Sequence, residues 1–332
     1  MASKKRKVDD SDDAPDIERS QTIWYTEGML IVQAQHVQFR VFKELLAERC
    51  PTLKEHMERK RLRKSQKCDV LDLPDDPKDV EVFLSMIFRP NSAAHPDKMS
   101  LPFSVVAGAI RLGIKYRTPD VAIPNLRRLL TTFSAEWSAA YETCVWVGPG
   151  PKETRFFDQE IGQRTACLGT ICLADELGLP DVILPSAYRA VIENMASFSA
   201  DDLAKLPAGH LARILRAAEP VRASYLRECY TWLMEPSPGD CGSVVECDRI
   251  RTSILAAFAP GASLVDQKKW TWTWSFHCDQ MCRCCRRRYS KAVTDGYDRW
   301  WDSLPAQFGL GSFDTLKKDG EKYVKNLEAG RA

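Results

Sequence analysis

Apolar and polar residues alternate in the first third of the chain and then change to helical spacing. The short apolar run Leu30–Val32, and Phe39 and Val41 with their polar neighbours, show the period of two expected of half-buried strands. A further short strand is predicted at Val70–Leu73. From Val80 onward apolar residues recur every three or four positions, which is typical of amphipathic helices. Strands followed by helices indicate an α+β unit rather than alternating βαβ units.

The second half of the chain has helical spacing almost throughout. Cys167, Ile171 and Leu177 belong to an apolar stripe that ends at Gly178, a residue type that favours helix ends. Separate helices are predicted over 206–218 and 221–232, and a short final helix is predicted around Trp300 and Phe308. The pattern divides the chain into five segments: a disordered tail (1–20), an α+β domain (21–135), a helical region (136–240), a Cys-rich and Trp-rich region (241–315) and a charged, exposed tail (316–332).

Composition narrows the classes of function. The chain has 332 residues, of which 44% are hydrophobic and 28% charged, values typical of a folded protein with about two domains. No stretch approaches the roughly 18 consecutive apolar residues of a membrane span, and the sequence predicts no secretory signal. The twelve cysteines are therefore expected to be reduced thiols or metal ligands. The net charge of +2 excludes a polycation.

The first twenty residues contain hardly any large apolar side chains, which predicts a disordered tail. Four consecutive cations, Lys4, Lys5, Arg6 and Lys7, stand in this tail ahead of an acidic run. An extended basic run of this kind suits the groove of a nuclear import receptor, whereas a solubilising tail is the alternative. The sequence therefore predicts a nuclear protein, with the cytoplasm as the alternative location.

Three stretches resemble, in the same order, the signature of BTB/POZ domains. "FRVFKELLAERCPTLKEHM" (Phe39–Met57) resembles the strand-and-helix pattern F-x-V-H-K-x-x-L followed by S-P-V-F-x-x-M, with Phe42 at the position of the histidine. Val70–Phe88 resembles the next strand and helix of these domains. "LPFSVVAGAIRLGIKY", within Leu101–Leu129, resembles the later helices and is most similar to the expanded set of fungal BTB proteins. The resemblance covers roughly residues 22–135.

The resemblance implies a small sheet flanked by helices at 21–135, followed by a mostly α-helical region. It also implies a binding module without catalytic activity, because BTB domains associate with themselves, with cullin-type ubiquitin-ligase scaffolds or with transcription complexes. The chain is therefore expected to act as an adaptor or regulator through protein partners. The sequence contains no glycine-rich phosphate loop, no Gly-x-Ser-x-Gly and no His-Glu-x-x-His, and no catalytic or cofactor-binding residue is predicted.

Half of the cysteines, six of twelve, lie in residues 241–285. A Cys-x-x-Cys pair can supply two corners of a zinc tetrahedron from a tight turn or a helix start, and a second, wider pair can supply the others. The candidate ligands of a structural zinc ion are Cys241, Cys247, Cys282 and Cys285, with His277 and Cys278 as alternates. The alternative is packing of Cys278, Cys282 and Cys285 as small hydrophobes on one helix face. Both interpretations stay open, and a catalytic zinc ion is not favoured.

Two basic segments of the chain, 268–291 and 59–67, could either bind an anionic partner or be solvated surface. Residues 268–291 hold seven cations and one acid, and Trp270, Trp272 and Trp274 alternate with threonines there. Phosphate contacts by the cations and stacking by the rings would suit a nucleic acid, which makes a nuclear nucleic-acid-binding regulator the alternative function. Packing of the aromatic residues, with the arginines in water, is the favoured interpretation of this segment. The basic run 59–67 is expected to be a solvated loop.

Overall fold

A computed structural model describes residues 17–59, 62–65, 68–89, 101–135, 160–257 and 280–330. The predicted import cluster Lys4–Lys7, the alternating tryptophans of 270–274, and His277 and Cys278 lie outside these residues. The described chain has the α+β organisation that the sequence predicts, with a small sheet near the N-terminus followed by helices. Among the described helices, none is both long enough and apolar enough to cross a membrane.

A mixed five-stranded sheet forms the first part of the fold. Its strands are β1 (Glu18–Trp24), β2 (Leu30–Ala34), β3 (Val37–Val41), β4 (Arg63–Ser65) and β5 (Cys68–Leu73). Their order across the sheet is β1-β3-β2-β5-β4. The β2–β3 hairpin is antiparallel and turns at Gln35, whose φ of 50° lies in the left-handed region. β1 pairs with β3 and β5 with β2 in parallel, whereas β4 is antiparallel to β5.

Five helices accompany the sheet: α1 (Lys43–Arg49), α2 (Pro51–Arg59), α3 (Pro77–Phe88), α4 (Phe103–Lys115) and α5 (Pro119–Thr132). Three of them begin with proline, whose missing N–H and fixed φ suit the first helical position. The Asp76 carboxylate also caps α3 by accepting from the Lys78 N–H at 2.8 Å. Phe39, Leu46 and Phe83 are fully buried, or nearly so, in the core between sheet and helices. We call this cluster the sheet core.

Within 160–257 and 280–330 the structure describes seven further helices: α6 (Glu160–Leu177), α7 (Leu184–Glu193), α8 (Ala200–Ala204), α9 (Ala208–Tyr230), α10 (Val244–Ala257), α11 (Arg283–Gln307) and α12 (Phe313–Glu328). The predicted stop at Gly178 is confirmed, with a φ of 59° just past the end of α6. A capping box starts α8, because Ser199 and Asp202 exchange side-chain and backbone hydrogen bonds. The buried residues of these helices form a second cluster, the helical core.

Helices α4 and α5 belong to both cores. On α4, Ala109 and Leu112 pack in the sheet core, whereas Val106 and Ile110 pack in the helical core. The helical core includes residues from Leu101 onward, so its packing begins well before the boundary predicted at residue 135. The two predicted regions share a wall of helices.

Helices α9 and α11 cross in close contact in the helical core. A Cβ atom built on Gly296 would lie 2.1 Å from the Glu228 carbonyl oxygen, so glycine is required there for the approach. Further along α11 the indole N–H of Trp300 donates to the Val221 carbonyl at 3.0 Å, and that of Trp301 donates to the Ala135 carbonyl at 2.8 Å. The aromatic residues of α11 are buried, whereas the alternating tryptophans on which the packing interpretation of 268–291 rests lie outside the described residues.

Two predictions near the N-terminus are wrong. The tail predicted over 1–20 is too long, because residues 18–20 belong to the strand β1, which begins at Glu18. Its residues are polar and give no alternation signal, and the strand is paired through its backbone instead, with the Glu18 N–H donating to the His36 carbonyl at 2.7 Å. The predicted loop 59–67 contains the strand β4, where Arg63 pairs with Asp72 at 3.1 Å. Backbone pairing overrides the polar pattern in both places.

The C-terminal half requires three corrections. The helices predicted over 206–218 and 221–232 form the single helix α9, because Pro220 removes one backbone hydrogen bond without ending the helix. The short final helix around Trp300 is the end of the 25-residue α11. The tail 316–332, predicted to be exposed, contains most of α12, whose Leu316 and Leu327 are buried. Apolar residues at helical spacing give α12 a face that packs, despite its many charges.

Candidate metal centre

Four cysteines come together where two helices begin side by side. Cys241 lies in the turn before α10, where its N–H donates to the Pro238 carbonyl at 2.9 Å, and Cys247 lies in the first turns of α10. Cys282 is the N-cap residue of α11, and Cys285 is in the first turn of that helix. The Cys-x-x-Cys pair therefore lies at a helix start, one of the two placements that its spacing allows.

The sulfur atoms of Cys241, Cys247, Cys282 and Cys285 all lie within 4.8 Å of one another. The Sγ atom of Cys241 is 3.4 Å from that of Cys285 and 3.8 Å from that of Cys282. A disulfide would require about 2.0 Å. All four are free thiols, so the cluster is a set of four separate sulfur donors.

Backbone N–H groups point at two of the sulfurs. The Cys285 N–H donates to the Cys282 Sγ at 3.4 Å, and the Cys282 N–H donates to the Cys247 Sγ at the same distance. The N–H of Cys285, followed by that of Gly242, lowers the pKa of Cys282 to about 6. A thiol at this N-cap is therefore largely a thiolate at neutral pH, and the thiolate is the form that binds metals.

At the two fully buried cysteines of the cluster, burial raises the pKa instead of lowering it. Cys247 and Cys285 are fully buried, and removal from water raises the pKa of both thiols. For Cys285 the hydrogen bonds to the neighbouring sulfurs, that to Cys241 first, raise the pKa further because they stabilise the protonated thiol, and the charge of Cys247 adds to the effect. A bound divalent cation would reverse both effects, since coordination deprotonates thiols.

The spacing of the sulfurs fits a single tetrahedral ion. A Zn–S bond is about 2.3 Å long, so the sulfurs of a regular tetrahedron lie about 3.8 Å apart. The distances of 3.4 and 3.8 Å, and the 4.8 Å limit for the whole set, bracket that value. Four sulfur donors in this arrangement are the ligand set that zinc prefers among divalent ions, and iron is the other metal that uses it.

A layer of packed side chains supports the ligands. Tyr289, one turn after Cys285, is buried and stacks on Trp232 with ring centroids 4.3 Å apart. Ile250 and Ile254 extend the buried face of α10 beyond Cys247. The sequence pattern did not single out Tyr289 or Trp232 as residues of the site, although both lie at apolar positions of their helices.

Cys284 lies between the two ligands of α11 but outside the cluster. Its thiol donates to the Asp240 carboxylate at 2.9 Å, and this hydrogen bond raises the pKa of Cys284 to about 11. The side chain is directed away from the other sulfurs because adjacent helical residues are rotated by about 100°. Cys284 is therefore a natural internal control for the four clustered cysteines.

The structure brings together the four cysteines that the sequence proposes as ligands. The alternates His277 and Cys278 lie outside the described residues. Of the alternative, packing on one helix face, Cys285 is on α11 and buried in the helical core, whereas Cys282 precedes the helix as its cap. Cys278 lies outside the described residues, so packing stays open beside metal binding. The clustered thiols can bind one metal ion, which would join the start of α10 to the start of α11.

Comparison of the chain with protein-family models, with curated proteins and with solved structures finds no match in any of the three.

Proposed function

We propose that this chain is a non-catalytic protein-interaction module of the BTB/POZ type whose helical half is stabilised by a structural zinc ion. The zinc ion would be bound by Cys241, Cys247, Cys282 and Cys285. The interaction surface would lie on the sheet half. The two parts of the proposal rest on different observations and are tested separately.

The observation that supports zinc is the mutual distance of the four sulfurs, all within 4.8 Å in a partly buried cluster. With all four corners supplied by protein, no open position would be left for a substrate, so the role is structural. The ion would cross-link α10 and α11, which are separated along the chain by residues 258–282. Its effect would be to fix the N-terminal turns of α11 against the helical core.

Metal analysis of purified full-length protein tests this part. We expect one zinc ion per chain, with iron far below that amount, and a tetrahedral thiolate spectrum when cobalt replaces zinc. The variant Cys282→Ser should lose the metal, because it removes one of four ligands. The matched variant Cys284→Ser, two residues away and outside the cluster, should keep it. Absence of metal from the wild-type protein, or equal retention by the two variants, would contradict the proposal.

The order of the elements supports the BTB/POZ type. A strand hairpin (β2–β3) leads into a pair of short helices (α1–α2), followed by the strand β5 and the helices α3, α4 and α5. The stretches that resemble the BTB signature occupy these elements in turn: Phe39–Met57 covers β3 to α2, Val70–Phe88 covers β5 and α3, and Leu101–Leu129 covers α4 and α5. Sequence resemblance and element order are thus mutually consistent.

A partly exposed aromatic patch on this half is the candidate contact surface. Phe42 is 37% exposed, and its ring lies 5.1 Å from that of Tyr25, which in turn lies 5.8 Å from that of Phe88. Met29, 56% exposed, adds an aliphatic side chain. Exposed aromatic and methionine side chains are enriched at protein interfaces, where they contribute much of the affinity. Phe83 is fully buried and has no part in this surface.

Replacement of the exposed apolar side chains tests the surface. We expect the double variant Met29→Ser/Phe42→Ser to lose self-association, measured by light scattering, or binding to a purified cullin-type scaffold. The matched variant Leu215→Ser/Met234→Ser removes two exposed apolar side chains of the helical half and should change neither. Thermal unfolding of both variants checks that they are folded. The interaction proposal fails if the wild-type protein binds neither itself nor the scaffold, or if the two variants behave alike.

A further inference from the structure

The first three turns of α11 carry an unusual concentration of positive charge. Residues 283–291 include four arginines and a lysine and no acidic residue. All five of these side chains are exposed: Arg283, Arg286, Arg287, Arg288 and Lys291. Five cations along about 12 Å of helix produce a strong local potential.

These cations do not serve the cysteine cluster as a group. At 100° per residue, Arg283, Arg287 and Lys291 lie along one face of α11. Cys285 and Tyr289 point to the opposite face and are buried. Lys291 pairs with Asp295 at 2.8 Å, whereas within the described part of the chain no carboxylate pairs with Arg283 or Arg287. Both guanidinium groups are thus free to donate to an external anion.

The helix α12 shows what an ordinary solvated face of this protein looks like. Its cations and acids are equal in number: Lys317, Lys318, Lys322 and Lys325 against Asp314, Asp319, Glu321 and Glu328. It also has an acidic residue in its first turn, as the helix dipole favours. The first turn of α11 has none and places an arginine there instead. Cations at a helix N-terminus oppose the dipole, so stability of α11 does not explain them.

We propose that the exposed face of α11 at Arg283 and Arg287 binds the phosphate backbone of duplex DNA. Guanidinium groups donate to phosphate in a bidentate manner and suit phosphate better than any other protein side chain. Single-stranded nucleic acid is disfavoured as the ligand, because its binding sites stack bases on aromatic side chains and the aromatic residues of 283–301 are buried. Duplex DNA carries one phosphate charge per about 1.7 Å of its axis, so closely spaced arginines on one helix face can each meet a phosphate.

The proposal is independent of both parts of the proposed function. It concerns contacts to phosphates and therefore implies binding without strong sequence preference. A plot of log affinity against log salt concentration has a negative slope. Each phosphate contact that is lost makes this slope shallower by about one. Loss of Arg283 and Arg287 should accordingly reduce the slope by about two.

Fluorescence anisotropy with a labelled DNA duplex, over a series of salt concentrations, tests the proposal on the full-length protein. We expect Arg283→Gln/Arg287→Gln to weaken binding and flatten the salt dependence by about two. The matched variant Lys318→Gln/Lys322→Gln removes the same charge from α12 and should leave affinity and slope nearly unchanged. Zinc content is measured on every sample, so that loss of the metal centre is distinguished from loss of a DNA contact.

Five results would overturn the proposal. The first four are absence of duplex binding at low salt, an unchanged slope in the α11 variant, equal effects of the two variants, and tighter binding of single-stranded DNA or polyglutamate than of the duplex. Tighter binding of polyglutamate would identify an acidic protein as the partner. Loss of zinc from the α11 variant alone would mean that the arginines support the metal centre instead.

Discussion

The sheet core and the helical core differ in the side chains that form them and in the length of chain that they join. The sheet core draws on residues from Ile23 to Val121 and is closed by aliphatic and aromatic side chains of neighbouring elements. The helical core draws on residues from Leu101 to Leu327 and includes Cys247 and Cys285 of the clustered thiols. The sheet core therefore joins segments within about 100 residues of chain, whereas the helical core joins segments spread over more than twice that length. A cross-link is therefore worth more to the second.

Metal removal should separate the two cores most clearly. Binding of a structural zinc ion contributes about 10–16 kcal/mol in small zinc domains, and that free energy is part of folding. We expect chelation to abolish hydrogen-exchange protection in α10 and in the first turns of α11, while β2, β3 and α3 stay protected. Exchange measured by mass spectrometry, with and without chelator, checks this. Equal loss in both halves would show that the sheet core also depends on the centre.

The converse perturbation is a cavity in the sheet core. Phe83 on α3 is fully buried, and Phe→Ala substitutions in cores cost about 3–5 kcal/mol. We expect Phe83→Ala to lower the denaturant midpoint by a corresponding amount while bound zinc is retained. Phe88→Ala on the same helix, where the ring is only partly buried, should cost clearly less. Loss of zinc from Phe83→Ala would mean that the two cores unfold as one unit.

The sheet half was the more predictable from the sequence because its signals are local. The alternation around Phe39 and the helical spacing after Val80 place β3 and α3 correctly. The strand β1 could not be found in this way, since polar residues with backbone pairing leave no periodic pattern. The apolar spacing from Phe313 to Leu327 was a usable signal, but the high charge of the segment favoured an exposed tail.

The metal centre was predictable in composition and not in geometry. Cysteine spacing identifies Cys282 and Cys285 as a pair, and chemistry suggests a second pair. No sequence rule places the start of α10 beside the start of α11, because that depends on how both helices pack on α9 and the turn after it. The exposure of Arg283 and Arg287 is likewise a consequence of the face of α11 that the core buries.

The crossing of α9 and α11 provides a smaller perturbation of the helical core. A Cβ at Gly296 would lie 2.1 Å from a backbone oxygen of α9, which cannot move without displacing the helix. We expect Gly296→Ala to cost about 1–3 kcal/mol, the usual range for overpacking. Gly209→Ala, at an open position in α9, should be neutral or slightly stabilising because alanine favours helix. Denaturant unfolding of both variants measures the difference, and equal effects would show that the helices can separate at no cost.

The ion pairs of Arg111 with Asp79 and Glu176 form a joint between the two cores, and their loss should have the smallest effect on stability. Arg111 on α4 donates to Glu176 on α6 at 2.7 Å and also pairs with Asp79 on α3. Since its side chain is one-third exposed, Arg111→Gln should cost no more than about 1 kcal/mol. Arg111→Lys, which keeps the charge and loses the bidentate geometry, should recover part of that cost.

The cost at this joint should depend on pH with a defined sign. Burial raises the pKa of Asp79, and the hydrogen bond and charge of Arg111 oppose that rise. Without Arg111 the pKa of Asp79 in the folded protein rises further. In the unfolded chain the pKa of an aspartate is about 3.9. The folded variant therefore keeps Asp79 protonated to a higher pH than the unfolded chain does. The destabilisation by Arg111→Gln should therefore be smallest below a pH of about 3.9 and grow as the pH rises through the raised pKa. Unfolding free energies of both proteins across this range measure the trend, and a cost that is constant or falls with pH would show that Asp79 does not depend on Arg111. If the joint couples the two cores, the variant should also unfold in two separated transitions where the wild-type protein shows one.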